Sequence, residues 1–184
     1  NDQLPADIHL RAISKVPHKF HARYDAIERA YLYQISTRRT AFGKPYVWWV
    51  RDPLSVQQMR EAAASFVGMR NFEAFTADDP DEKSTRVLVE AVEIEEHGAL
   101  ILIRVRGSHF LWKMVRRMVG VLAAVGRGDI APNEAAAFLD PSRAADARAT
   151  AAALSAPGSG LFLEAVRYQG DPPLGPLKPV LWID

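Results

Sequence analysis

The sequence predicts an α+β fold: a mostly antiparallel sheet with helices packed on one face. Three observations carry that reading. Thr85 to His97 and Ala99 to Arg106 alternate polar and apolar residues on either side of Gly98, the pattern of an antiparallel hairpin. A separate run, Arg29 to Thr37, alternates as well and puts Tyr31, Tyr33 and Ile35 on one face. Two stretches, Ser55 to Gly68 and Gly107 to Gly128, instead space their apolar residues three and four apart, which is helical.

The remaining elements follow in order. Asp7 to Val16 alternates and reads as a strand, and Pro17 to Arg23 is a short basic connection. Thr40 to Pro45 contains Gly43 and Pro45 and reads as a loop, followed by the short aromatic strand Tyr46 to Val50. Ser55 caps a helix whose buried face is Val56, Met59, Ala62, Ala63, Phe66 and Val67, with Gly68 as its stop. Ala77 to Lys83 is an acidic turn, expected to be solvated.

The stretch from Gly107 to Gly128 is the centre of the chain. Ser108 is placed to cap it, and Gly126 and Gly128 suit its end. Phe110, Leu111, Met114, Val115, Met118, Val121, Leu122 and Val125 form a wide apolar stripe, while His109, Lys113, Arg116 and Arg117 recur on a second side. Pro132 to Leu139 reads as a short helix, Ser142 to Leu154 as an alanine-rich helix or connector, and Leu161 to Tyr168 as the last strand. Four prolines make the tail from Gly170 extended.

Composition narrows the chemistry. A length of 184 residues bounds the chain to one domain or slightly more. The net charge of +1 announces no polyanion partner, so any basic surface is local. The absence of cysteine excludes disulfides and thiolate metal sites, and the five histidines show no metal-binding spacing. No apolar run reaches the ~18 residues of a membrane span. The motifs G-x-S-x-G and H-E-x-x-H and a phosphate-binding glycine loop do not occur.

Four clusters are candidates for function: Phe20-His21-Ala22-Arg23, Arg29-x-Tyr31-x-Tyr33, Met114-Val115-Arg116, and Ala156-Pro157-x-x-Gly160-Leu161-x-Leu163. Each has a plainer reading beside the functional one. The first is also a surface loop and the second a pair of core tyrosines on a strand. In the third, the helix cations also suit pairing with nearby carboxylates, and the fourth is also an ordinary turn. Physical reasoning alone ends at an α+β domain with a local basic and aromatic surface, suited to RNA.

Taken together and in order, these clusters resemble the tRNA pseudouridine synthase A family. The resemblance also includes Asn1-x-x-Leu4-Pro5-x-Asp7-Ile8, Met59-x-x-Ala62-Ala63, Gly68-x-x-Asn71-Phe72-x-Ala74-Phe75 and Phe110-x-x-x-Met114-Val115-Arg116-x-x-Val119-Gly120, so it runs nearly end to end. It implies isomerisation of uridine to pseudouridine in the anticodon arm of tRNA, with no cofactor or metal, by a cytoplasmic homodimer whose cleft is floored by a sheet. It further implies that Arg116 pairs with a nucleophilic aspartate, that Tyr31 stacks on the target base, that Leu161 packs at the base pocket, and that His21, Arg23 and Arg29 approach the RNA backbone. Arg117, about 100° further round the helix, is expected to tolerate alanine far better than Arg116.

One part of the family pattern does not occur: the Arg-Thr-Asp-Ala-Gly-type motif that carries the aspartate, which in the family precedes everything matched here. The chain is therefore expected to be the C-terminal portion of a synthase and inactive by itself. Residues 1–19 would lead out of an N-terminal domain, residues 20–170 form the C-terminal α+β domain, and residues 171–184 form a proline-rich tail. The competing expectation is an RNA-binding module of the same fold without catalysis.

Overall fold

A computed structural model of the chain describes residues 1–79 and 84–183. Pro80 to Lys83, the second half of the acidic turn, lie outside the described residues. The fold is α+β. Strands β1 (Glu28–Ser36), β2 (Trp48–Trp49), β3 (Gly68–Asn71), β4 (Arg86–His97), β5 (Leu100–Gly107) and β6 (Leu161–Arg167) form one sheet. The helices are α1 (Val56–Ala64), α2 (Met114–Arg127) and α3 (Ala144–Ala153). None of the described helices is long and apolar enough to cross a membrane.

Strand order is β2-β1-β5-β4-β3, with β6 also beside β1. All pairs are antiparallel except β1 with β2. β6 runs along Glu28 to Tyr33 and β2 takes over at Ile35 and Ser36, so both lie on the same side of β1. The expected hairpin is β4 and β5, turning at Gly98 with φ +60°.

One face of the sheet carries the core. Tyr33, Ile35, Val87, Val89, Ile103 and Val105 pack there against α1 and α2. Twelve of the fourteen residues of α2 are buried, including Arg117, so this helix is enclosed rather than merely amphipathic. The other face holds Leu32, Leu100 and Leu102, and the proline-rich tail crosses it extended, inserting Leu177. The tail is tied down by Arg104 Nη1 donating to Gly175 O (3.1 Å) and by Val180 N donating to Gln34 Oε1 (2.6 Å).

The structure departs from expectation in three places. Asp7 to Val16 is not a strand; Ile8 and Ile13 are 52% and 88% exposed. Alternation makes a strand only where a neighbour takes its backbone bonds. Here the side chain of Asn1 exchanges two bonds with the backbone of Leu10 instead.

Second, α1 stops at Ala64, before Gly68, and Gly68 opens β3, a strand that periodicity did not mark.

Third, α2 starts at Met114, well after Ser108. The Ser108 N–H pairs with Leu88 O of β4 at 3.0 Å, and its hydroxyl bonds to His109 Nδ1 rather than capping. Lys113, in the left-handed region at φ 63°, makes the turn into the helix.

Candidate functional site

Three separated elements meet at one end of the sheet. Tyr31 comes from β1, Leu161 from the start of β6, and Arg116 from the first turn of α2. The three side chains line a single cavity of about 240 Å3, together with Phe110, Leu111 and Lys113. Tyr31 is half-buried, and the Phe110 ring meets it edge-on at 5.2 Å and 87°, which fixes the plane of the tyrosine. The N-terminal turn of α2 borders the same cavity, so the helix dipole adds positive potential to that of Arg116.

Arg116 is held from behind. Its Nε donates to Ala156 O at 2.6 Å, and the Ala156 N–H donates to Arg116 O at 3.0 Å. Among the described residues, no carboxylate forms an ion pair with Arg116. The cavity therefore contains a half-buried guanidinium oriented by a backbone carbonyl, with two terminal nitrogens suited to a bidentate anion.

The segment that carries Ala156 is fixed on its other side by β1. Tyr33 Oη donates to Pro157 O at 2.8 Å, and Gln34 N donates to Gly160 O at 2.9 Å. Burial raises the Tyr33 hydroxyl above the usual tyrosine range despite the nearby charge of Arg116, so it remains a donor. Gly160 has φ +91°, and a Cβ there would stand 2.6 Å from Gln34 O, so only glycine fits the turn into β6.

A second cavity of about 450 Å3 shares Tyr31, Phe110 and Leu111 with the first and adds Arg23, Arg29, Asp78 and His109. Arg23 and Arg29 therefore lie beside Tyr31. Arg29 also braces the backbone around it. Its Nη1 donates to Ala26 O (3.0 Å) and Ser108 O (2.6 Å), and its Nη2 to Arg23 O. Burial, and then the charge of Arg29, hold the His109 imidazole below its ordinary pKa. His21 lines neither cavity; its Nδ1 accepts from Arg23 N and Tyr24 N, and its ring lies 4.3 Å from that of Tyr24.

Arg117 is not part of an exposed basic side of α2. It is buried, and its Nη1 donates to Ala74 O (3.2 Å) and to Thr76 O. Burial, and then the neighbouring charge of Arg148, hold it below the usual arginine range. It anchors the loop after β3 and is no solvated spare cation.

Asp78, within the acidic turn that the sequence marks as solvated, has a structural role that the sequence does not announce. Its carboxylate accepts from Trp112 N at 3.3 Å and so ties that loop to the approach to α2. The local signal was Thr76, whose hydroxyl accepts from Asp78 N at 3.0 Å and folds the turn.

A family model described as tRNA pseudouridine synthase matches residues 62–169. The tRNA pseudouridine synthase A of Pseudothermotoga lettingae is 37% identical over 171 residues, covering 91% of this chain and 68% of its own length. That of Syntrophotalea carbinolica is 39% identical over 170 residues, covering 91% and 66%. That of Pseudomonas aeruginosa is 38% identical over 173 residues, covering 93% and 59%. The chain thus spans 59% to 68% of the length of these three relatives.

Proposed function

The chain belongs to the tRNA pseudouridine synthase family, and we propose that it supplies the arginine, the stacking tyrosine and the base pocket of an isomerase that converts uridine to pseudouridine in the anticodon arm of tRNA. The observation that carries this reading is the meeting of Tyr31, Leu161 and Arg116 on one cavity from three separate elements.

The chemistry sets the requirements. The glycosidic bond from N1 to the ribose breaks, a bond from C5 to the same carbon forms, the proton on C5 is lost to solvent and N1 takes one up. The base must first leave its stack, which costs a few kcal/mol, and an aromatic face offsets part of that. Tyr31 provides the face and Leu161 the apolar wall. The terminal nitrogens of Arg116 hold the attacking carboxylate ionised and oriented. Arg23 stands at the mouth for a phosphate. In this reading Arg29 serves the RNA mainly by shaping that mouth, and His21 meets the RNA backbone outside the cleft.

The nucleophilic aspartate belongs, in this proposal, to residues outside these 184. The support is that no described carboxylate pairs with Arg116. The domain layout, with residues 1–19 leading in, 20–170 as the C-terminal domain and 171–184 as a tail, belongs to the same reading, as do a homodimeric full-length form and a cytoplasmic location. Tritium release from tRNA labelled at uridine C5 is the test. The 184-residue chain releases none above background, while a longer form carrying the upstream aspartate releases it; turnover by the 184-residue chain alone overturns the assignment of the nucleophile. An Arg116 with no ion-pair partner among the described residues also suits a non-catalytic RNA-binding module, and a longer form that binds tRNA without releasing tritium establishes that alternative.

A further inference from the structure

We propose that a groove at the β2 edge of the sheet, separate from the Arg116 cleft, is a second RNA contact that takes one unpaired nucleotide, its base on Trp49 and its phosphate between Arg39 and Lys44. The proposal rests on the RNA reading above and extends it to a surface with no part in the chemistry. The groove encloses about 630 Å3, against about 240 Å3 for the cleft at Arg116.

Its lining is basic and aromatic. With 23 basic and 22 acidic residues overall, charges of both signs are expected on any surface. The groove carries Arg39 and Lys44 with the hydroxyls of Thr40 and Ser159, and no carboxylate among the described residues lines it. Two cations with no counter-charge among the described lining residues favour an anion, and the indoles of Trp48 and Trp49 favour one attached to a flat ring. Trp49 is 40% exposed, and the Arg39 guanidinium lies over it at 5.4 Å from the ring centroid. That cation–π contact covers the indole when no RNA is present. An entering base takes the place of the guanidinium on the ring, and the guanidinium turns to the phosphate.

The groove is also mechanically joined to the cleft. Ser159 lies in the same short segment whose Ala156 holds Arg116 and whose Pro157 accepts from Tyr33. Trp48 pairs with Ile35 and Trp49 with Ser36, four and five residues along β1 from Tyr31, or roughly 13–17 Å at ~3.3 Å per strand residue. An RNA strand that places one base at Tyr31 therefore reaches the groove within a few nucleotides.

The test is a binding titration of hexauridylate to the 184-residue chain, read by tryptophan quenching over a series of salt concentrations. Arg39, Lys44 and Trp49 are all exposed, and circular dichroism verifies each variant's fold. Trp49→Ala weakens binding roughly tenfold. The double variant Arg39→Ala with Lys44→Ala lowers the salt slope by about 0.7 for each lost phosphate contact. Tyr31→Ala leaves both of those effects measurable.

Unchanged affinity and slope in the groove variants overturn the proposal, as does loss of binding confined to Tyr31→Ala or no binding at low salt. Oligoglutamate binding as tightly as hexauridylate, with Trp49→Ala indifferent, also overturns it by reducing the groove to a general anion patch. None of these outcomes bears on tritium release, which tests the synthase reading independently.

Discussion

Arg116 and Ala156 are joined by hydrogen bonds in both directions, the backbone N–H of Ala156 donating to Arg116 O and the Arg116 Nε donating to Ala156 O. The pair fixes a guanidinium through its inner nitrogen and leaves the outer two for chemistry. It also ties the first turn of α2 to the segment leading into β6, the strand that opens with Leu161 of the cavity wall.

Arg116→Ala in a form of the protein carrying the upstream aspartate is expected to slow single-turnover pseudouridine formation by several kcal/mol of barrier, since a buried nucleophile loses its orienting charge. Arg116→Lys recovers only part, because an ammonium offers neither the Nε bond to Ala156 nor a planar fork. Equal rates for wild type and Arg116→Ala rule out the assigned role.

Arg117→Ala is expected to act on stability instead. Removing a buried guanidinium strands the carbonyls of Ala74 and Thr76 and leaves a cavity, at roughly 2–4 kcal/mol. Urea denaturation of the 184-residue chain checks this. A change within about 0.5 kcal/mol would show that the loop after β3 holds without it.

Gly120→Ala probes the same junction from the other side. A Cβ at Gly120 would overlap the Leu154 carbonyl, a backbone atom that cannot swing aside. The variant is expected to lose roughly 1–3 kcal/mol of stability and, in the longer form, turnover as well, because α2 must move away from Ala156. Unaltered thermal unfolding counts against this close approach.

The back of the sheet predicts an acid response. Burial opposes ionisation of Glu28, but its hydrogen bonds with Glu90 and Arg167 and the charge of Arg106 prevail and hold its carboxyl below the ordinary 4.5. A depressed carboxylate contributes stability above the unfolded value, and that contribution is lost as pH falls through the folded value. Glu90, raised mainly by its hydrogen bond with Glu28, contributes with the opposite sign, and its share fades as pH rises through its raised value. Glu28→Gln is expected to cost about 1–3 kcal/mol at neutral pH and to flatten the decline below pH 4.5, measured by urea midpoints against pH. A decline as steep as that of the wild type assigns the acid limb elsewhere.

Much of this protein is legible residue by residue. Alternation gives β1, β4, β5 and β6, the Ser55 cap gives the start of α1, and Gly98 gives the hairpin turn, because each depends on neighbours within a few residues. The motif residues Tyr31, Arg116 and Leu161 are likewise named by the sequence. What only the tertiary structure decided is how those parts are partnered. Asp7 to Val16 has the pattern of a strand and no strand beside it. Ser108 has the side chain of a cap, but its backbone belongs to the edge of β4. Arg116 and Arg117 are adjacent and chemically identical. One opens onto the cleft because the carbonyl of Ala156, forty residues on, takes its Nε; the other is buried because the carbonyls of Ala74 and Thr76, more than forty residues back, take its Nη1. A local pattern specifies which groups need a partner, and only the packed chain decides which distant backbone provides it.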